Sequence, residues 1–296
     1  MRKRSSTGHG PTADGLPPSI VFADNDTLVR EAIGELLRSK DYNVYLACDG
    51  LEALTLCRRI KPDYVILDIM MPKLDGARVC WLIRQDPELR ETPVIAFSSL
   101  SARDFRGFQE LSADAYVAKG TLSVSFQHIL EAIAHIDARG RGSLSGGVFG
   151  YDELQPRQLV EEMLEERRRH ATALRALGDG VLELDRKGTI LSATPGACEI
   201  LGKREARIIG EPFASFCASC DQRAVSDVIA ELFTAESPER CRMTLQIDEA
   251  EISVLLCAQV EERECVGILV VMEMAKKTGE GNQRTRPAVP PKIPDV

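Results

Sequence analysis

The sequence is poor in aromatic residues and in histidine, and it has no long hydrophobic run. Aromatic residues make up 5% of its 296 residues, and there are one tryptophan and four histidines. No segment reaches the ~20 uninterrupted apolar residues that a membrane-spanning helix needs. The basic residues near the start are not followed by the apolar stretch of a secretory signal. We therefore expect no membrane insertion and a cytoplasmic location.

The cysteine content and the net charge exclude two further classes of protein. The nine cysteines are an odd number and are scattered through apolar segments, unlike a disulfide framework. The formal net charge of −8 disfavours a general binder of nucleic-acid phosphates, which needs concentrated positive charge. We expect a reducing environment and no direct contact with nucleic acid.

Composition changes along the chain divide it into segments. Both ends are polar and rich in proline or glycine, a Gly- and Ser-rich stretch lies near the middle, and a long charged helical pattern follows it. The expected segments are a disordered arm at 1–18, a first domain at 19–139, a flexible linker at 140–150, a connecting helix at 151–177, a second domain at 173–275 and a disordered tail at 276–296.

The first domain alternates short apolar runs with amphipathic helical segments. The apolar runs are at 20–23, 44–47, 64–67, 94–97 and 115–118. Continuous apolar runs of this length are typical of parallel strands that are buried on both faces. The pattern predicts an α/β domain with a doubly wound, five-stranded parallel sheet.

Polar residues stand where these strands end. They are Asp24, Asn25, Asp68, Ser98 and Lys119. The carboxyl ends of parallel strands meet at one edge of a sheet, so these side chains should converge there. Paired carboxylates bind a hard cation such as Mg²⁺, and a carboxylate can attack phosphorus. A hydroxyl and an ammonium would stabilise the charge on a transferring phosphoryl group.

The turn that follows the third strand makes the pattern more specific. Asp68 is followed by Met70-Met71-Pro72 and then by Asp75-Gly76. With these residues the segment 19–139 resembles the CheY-like receiver domain of two-component response regulators, which has a flavodoxin-like fold. The resemblance implies that Asp68 is the phosphoacceptor, that Ser98 and Lys119 contact the phosphoryl group, and that Tyr116 is the switch aromatic.

The resemblance also implies a magnesium site in the same pocket. Its ligands would be Asp24, Asn25, Asp68 and the backbone carbonyl of Met70. Asn25 stands where the family usually has a second acid, so the metal loses one anionic ligand. We therefore expect weaker Mg²⁺ binding and an altered lifetime of the phosphoryl group.

The second domain has a different order of elements. Strand patterns at 181–184 and 189–192 flank a turn, a helical pattern covers 222–233, and strand patterns follow at 241–247, 252–260 and 266–272. This predicts a smaller α+β domain. The run from Leu177 to Ala197 and the closing strand resemble a PAS domain. Such domains bind a small ligand or mediate dimerisation and signal relay.

The residues of this domain exclude some PAS cofactors. No histidine lies between 171 and 275, which argues against a haem with a proximal histidine. The cysteine-bearing motif of flavin-binding light sensors is also missing. We expect cofactor-free dimerisation first and an unidentified small ligand as the alternative, and no ligand-binding residues are assigned. Cys217 and Cys220 have metal-site or redox-pair spacing, but we favour the interpretation that they are semi-buried structural cysteines.

The two resemblances together imply a response regulator of a two-component phosphorelay. A partner histidine kinase or phosphotransfer protein would phosphorylate Asp68, and the signal would pass through protein–protein contacts with the PAS module. The connecting helix and the PAS domain could pair two copies. The expected chemistry is Mg²⁺-dependent self-phosphorylation, without a separate catalytic domain. The alternatives are a ligand-sensing or dimerising PAS protein whose receiver serves for docking, and a phosphate sink.

Overall fold

The structure is a computed structural model that describes residues 17–98, 112–139, 147–150, 180–234, 240–261 and 264–274. The expected connecting helix at 151–177 and tail at 276–296 lie outside these residues, as does nearly all of the expected arm at 1–18. Within the described part of the chain, no helix combines the length and the apolarity that crossing a membrane requires.

The first domain alternates strands and helices where the apolar runs predict them. The strands are β1 (Ser19–Ala23), β2 (Asn43–Ala47), β3 (Tyr64–Asp68), β4 (Val94–Ser98), β5 (Ala115–Ala118) and β6 (Gly147–Phe149). The helices are α1 (Thr27–Arg38), α2 (Gly50–Ile60), α3 (Gly76–Gln85) and α4 (Leu122–Arg139). The strands pair in parallel in the order β2-β1-β3-β4-β5-β6. The doubly wound parallel sheet predicted from the sequence is confirmed.

Both faces of this sheet are covered, which explains the continuous apolar runs. Along β1, Val21 and Ala23 belong to the apolar cluster on the side of α2 and α3. Ile20 and Phe22 belong to the cluster on the side of α1 and α4. Successive side chains of a strand point to opposite faces, so a strand buried on both sides must be apolar at every position.

The sheet has six strands and not the expected five. Residues Gly147–Phe149, within the stretch expected to be a linker, form β6 and pair with β5. Phe149 packs edge-on against His135 of α4, with ring centroids 5.7 Å apart. A Cβ on Gly147 would lie 3.0 Å from the His135 ring, so glycine permits this close approach. A three-residue strand that begins with glycine has too short a pattern to stand out in the sequence.

Aspartates begin three of the helices at the edge where β1 and β3 end. The side chains of Asp26, Asp49 and Asp75 accept hydrogen bonds from the first backbone N–H groups of α1, α2 and α3. A carboxylate at this position satisfies N–H groups that have no partner within the helix. The loops leading into these helices are thereby fixed next to the ends of the strands.

The second domain is an antiparallel sheet with short helices. Its strands are β7 (Gly180–Leu184), β8 (Ile190–Ala193), β9 (Arg240–Ile247), β10 (Ala250–Glu261) and β11 (Glu264–Met274), in the order β8-β7-β11-β10-β9. The helices are α5 (Pro195–Ile200), two 3-10 turns (Glu205–Arg207 and Phe213–Phe216) and α6 (Gln222–Thr234). The α+β order predicted from the sequence is confirmed.

Candidate functional site

The strand ends of the first domain bring two carboxylates and one ammonium together. Asp24 directly follows β1, Asp68 is the last residue of β3, and Lys119 directly follows β5. Both carboxylates are almost fully buried, with Asp24 0% and Asp68 3% exposed. Lys119 lies between them, because its Nζ is 2.8 Å from Asp24 Oδ2 and 2.9 Å from Asp68 Oδ2.

Backbone groups hold the two carboxylates in place. The Asp26 N–H donates to Asp24 Oδ1 at 2.9 Å, and the Met70 N–H donates to Asp68 Oδ1 at 3.1 Å. Arg30 of α1 donates to the backbone carbonyl of Asp24 at 2.7 Å. Each carboxylate therefore has one oxygen fixed by its own loop and presents the other to Lys119.

The pKa of the Asp68 carboxyl lies above its ordinary value. Burial is the largest cause, and the neighbouring Asp24 charge adds to it, whereas Lys119 and the Met70 N–H act in the opposite direction. Burial disfavours the charged form of a carboxyl group because it removes water. A further cation in the pocket would offset this cost.

Ser98 and Tyr116 lie on the neighbouring strands. Asp68 pairs with Phe97 in the register of β3 and β4, which puts half-buried Ser98 one residue beyond that pair. The Ser98 carbonyl accepts the Lys119 N–H at 2.8 Å. Tyr116 is buried within β5, and burial raises the pKa of its hydroxyl to about 12. Its phenol therefore stays protonated over the physiological pH range.

Asn25 and Met70 occupy the loops beside the carboxylates. Asn25 is exposed between Asp24 and Asp26, and Met70 is half-buried. With these two, all seven site residues expected from the sequence have been described. Six of them lie at or just after the carboxyl ends of the strands, and Tyr116 lies within β5.

One ion pair beside the pocket was not predicted from the sequence. Lys73, in the loop after Asp68, contacts Asp49 with 2.5 Å between Nζ and Oδ2. This contact is the first cause of the raised pKa of Lys73. Asp49 and Glu52 also cap α2, since Asp49 accepts the Glu52 N–H and Glu52 accepts the Cys48 N–H. The Asp-x-x-Glu spacing was a capping signal in the sequence.

Comparisons with known proteins agree with this arrangement. The family profile of the response regulator receiver domain matches residues 20–134, and that of the PAS fold matches residues 166–274. The chain carries a response regulator receiver domain followed by a PAS domain.

Curated relatives match part of the chain. Response regulator MprA of Mycobacterium sp. (strain KMS) is 42% identical over 89 residues, which are 30% of this chain and 36% of that protein. The chain thus spans about a third of the length of that relative. The polar-differentiation response regulator DivK of Brucella anthropi is 29% identical over 119 residues, 40% of this chain and 94% of that protein.

A solved receiver domain also matches part of the chain. The receiver domain of the Francisella response regulator 1452 is 27% identical, with a TM-score of 0.37 over 41% of this chain and 98% of that domain.

The receiver pocket fits a divalent cation. Receiver domains bind Mg²⁺, which takes one or two protein carboxylates and completes its octahedron with water and phosphate oxygens. Asp24 Oδ2 is buried and accepts no hydrogen bond within the described part of the chain, although the Lys119 Nζ lies 2.8 Å away as an ion-pair partner. A buried carboxylate oxygen with free lone pairs is a suitable ligand for a hard cation. The donor set of the pocket therefore suits Mg²⁺.

The two spaced cysteines of the PAS domain differ in their surroundings. Cys217 is buried, and burial raises the pKa of its thiol to about 11. Cys220 is exposed, with its Sγ 3.5 Å from Asp221 Oδ1. Among the described residues, no group of three or more His, Cys, Asp or Glu side chains is placed to hold a metal ion. A thiol with a raised pKa is a poor nucleophile at neutral pH, so Cys217 has the character of a core residue.

Proposed function

We propose that this response regulator accepts a phosphoryl group on Asp68 from a partner histidine kinase or phosphotransfer protein. The observation that carries the proposal is the contact of Lys119 with both Asp24 and Asp68. This arrangement provides a nucleophilic carboxylate, a second anionic ligand for a cation and a fixed positive charge within one buried pocket.

The proposed reaction is a transfer between nitrogen and oxygen. Asp68 attacks the phosphorus of a phosphohistidine, an O–P bond forms, and the N–P bond breaks. The bonding pair returns to the imidazole nitrogen. Asp24, Asp68 and the Met70 carbonyl would hold Mg²⁺, which would supply positive charge to offset that of the phosphoryl oxygens. Lys119 stays within reach of these oxygens and stabilises them.

We further propose that Ser98 and Tyr116 respond to the phosphoryl group. Ser98 is at the end of β4 next to the acceptor strand, where its hydroxyl could donate to a phosphoryl oxygen. Tyr116 lies two residues before the end of β5, in register with Ala96 of β4. Movement of Ser98 would open space along these strands for the aromatic ring.

Intact-mass analysis tests the phosphoacceptor. The full chain is incubated with acetyl phosphate or phosphoramidate, with Mg²⁺ or with a chelator. We expect one Mg²⁺-dependent phosphoryl adduct in the wild type and none in Asp68→Asn. Asp41→Asn is the matched control, because Asp41 is exposed and has a φ of 63° that asparagine readily adopts.

The control should form the same adduct as the wild type. Absence of an adduct with both donors would contradict the proposal and favour a receiver that serves for docking. Persistent labelling of Asp68→Asn would contradict the assignment of the acceptor residue.

A further inference from the structure

Two arginines of the receiver domain reach one segment of the PAS domain. Arg58 of α2 donates to the backbone carbonyl oxygens of Ala206 at 2.5 Å and of Ile209 at 2.9 Å. Arg78 of α3 forms an ion pair with Glu205. Residues 205–211, which we call the PAS docking segment, thus contact both helices on one face of the receiver sheet.

Arg58 is partly buried between acidic groups of both domains. Its guanidinium also lies 4.0 Å from Asp86 of the receiver and 4.0 Å from Glu211 of the docking segment. The Arg58 side chain is 22% exposed, and burial is the largest cause that lowers its pKa. Hydrogen bonds from a charged donor to buried carbonyl groups contribute more than neutral ones.

Apolar contacts accompany the arginines. Gly210 has a φ of 88°, and a Cβ there would lie 3.4 Å from Leu51 of α2 and 3.3 Å from Arg58. Ile208 and Ile209 are fully buried, in the same continuous apolar cluster as the α2–α3 side of the receiver. Trp81, whose ring centroid is 4.6 Å from the Arg78 guanidinium, supports Arg78 from the receiver side. The interface therefore combines apolar packing with specific polar contacts.

Both helices that carry the arginines rest on the loop that follows Asp68. A Cβ on Gly76, the first residue of α3, would lie 2.2 Å from the Asp68 carbonyl oxygen. A Cβ on Gly50, the first residue of α2, would lie 1.9 Å from the Leu74 carbonyl oxygen. In this same first turn of α3, Asp75 accepts the N–H of Arg78 at 2.7 Å. A shift of residues 69–75 would therefore move the groups that hold the PAS domain.

We propose that the PAS domain docks on the α2–α3 face of its own receiver through Arg58 and Arg78, and that phosphorylation of Asp68 changes the strength of this docking. The second half of the proposal rests on the proposed function. The signal would then leave the receiver through α2 and α3, in addition to any response at Tyr116 in β5.

Charge reversal tests the docking in the unphosphorylated full chain. Hydrogen exchange is measured by mass spectrometry on peptides that cover the docking segment, whose N–H groups at 208–211 donate to backbone carbonyls. Arg78→Glu and Glu205→Arg should each accelerate this exchange, and the double variant should restore protection. Arg90→Glu is the matched control, because Arg90 is 62% exposed and pairs only with its neighbour Glu91 among the ion pairs described. Unchanged exchange in both single variants, or no recovery in the double variant, would overturn the docking.

Phosphorylation tests the coupling. With Mg²⁺ and acetyl phosphate, exchange in the docking segment should change about 5-fold or more in the wild type, the lower end of typical coupling between sites. It should stay unchanged in Asp68→Asn. A confirmed phosphoryl adduct with unchanged exchange would overturn the coupling and leave the proposed function intact. Absence of the adduct would overturn both, while the charge-reversal variants would still decide the docking.

Discussion

Asp68 shares a single cation with a second buried carboxylate. Lys119 contacts Asp24 and Asp68 at nearly equal distances, so the described residues place one ammonium between two acidic groups. Burial is the largest cause of the raised pKa of Asp68, and the charge of Asp24 adds to it. The folded protein therefore has a cost in keeping Asp68 ionised, and a bound divalent cation offsets that cost.

Asp68→Asn should stabilise the protein at neutral pH in the absence of Mg²⁺. A carboxyl whose pKa is raised by folding contributes stability below its unfolded pKa of about 3.9, and this contribution is lost as the pH rises through the folded pKa. Asparagine does not ionise, so the variant does not lose this stability as the pH rises, and Lys119 still pairs with Asp24. We expect a melting temperature about 2–4 °C above that of the wild type at pH 7.

This difference should shrink as the pH falls towards 4, and Mg²⁺ should stabilise only the wild type. Calorimetry between pH 4 and 8, with Mg²⁺ or a chelator, measures both effects. A variant that is less stable than the wild type throughout this range would show that the ion pair with Lys119 outweighs the burial of Asp68.

The loop between β3 and α3 is fixed by a close backbone contact in addition to the Asp75 cap. Gly76 abuts the Asp68 carbonyl oxygen and donates its N–H to the Ile69 carbonyl at 3.1 Å. A backbone carbonyl at the end of a paired strand cannot move aside as the end of a flexible side chain can. Asp75 thus caps α3, and Gly76 allows the close approach of α3 to the end of β3.

Gly76→Ala should destabilise the receiver by about 1–3 kcal/mol, the usual cost of inserting a methyl group into a packed site. Gly34→Ala is the matched control, since Gly34 is also a buried helical glycine. Its added Cβ would meet the end of the Leu46 side chain at 2.9 Å, a flexible neighbour. The control also gains about 1 kcal/mol in helix propensity. Chemical denaturation measures the free energy of unfolding of both variants. Equal destabilisation of Gly76→Ala and Gly34→Ala would refute the role of the Asp68 carbonyl.

The strands of both domains could be predicted because a buried strand has a recognisable apolar pattern in the sequence. The runs at 20–23 and 64–67 are apolar at each position, and the structure extends β1 and β3 by only one residue each. The same reasoning failed for β6, which was expected to be part of a linker. Gly147 and Phe149 of β6 lie close to His135 of α4, and contacts between elements that are distant in sequence give no periodic pattern within three residues.

The site residues could be predicted from the sequence, whereas the residues at the interface between the domains could not. Asp24, Asp68 and Lys119 could be assembled from the sequence because each follows a strand of one parallel sheet. Arg58 and Arg78 lie within helices, where a charged residue usually marks a solvated face. Their partners at 205–211 belong to the other domain, so only the packing of the two domains reveals their role.

At the scale of the whole molecule, one apolar cluster extends through both domains. It includes Val79 and Leu82 of α3 together with Ile208 and Ile209 of the docking segment. The receiver face opposite, against α1 and α4, has a separate cluster. The PAS domain therefore adds to the core on one side of the receiver, and the two domains share part of their stabilisation.

This shared cluster predicts one cooperative thermal transition for the wild-type chain. Scanning calorimetry should give a van't Hoff enthalpy equal to the calorimetric enthalpy. Arg58→Ala leaves the carbonyls of Ala206 and Ile209 without their donor and should separate the unfolding into two transitions. Two transitions in the wild type would contradict a shared core.

The short strand β6 has a consequence for the boundary of any receiver fragment. It covers the edge of β5, where unpaired N–H and C=O groups would otherwise form a template for other chains. An exposed edge of only three residues offers few such groups, and Val148 on it is partly exposed. A fragment that ends after α4 would lack β6 and open the longer edge of β5, so it should aggregate more readily than a fragment that keeps β6.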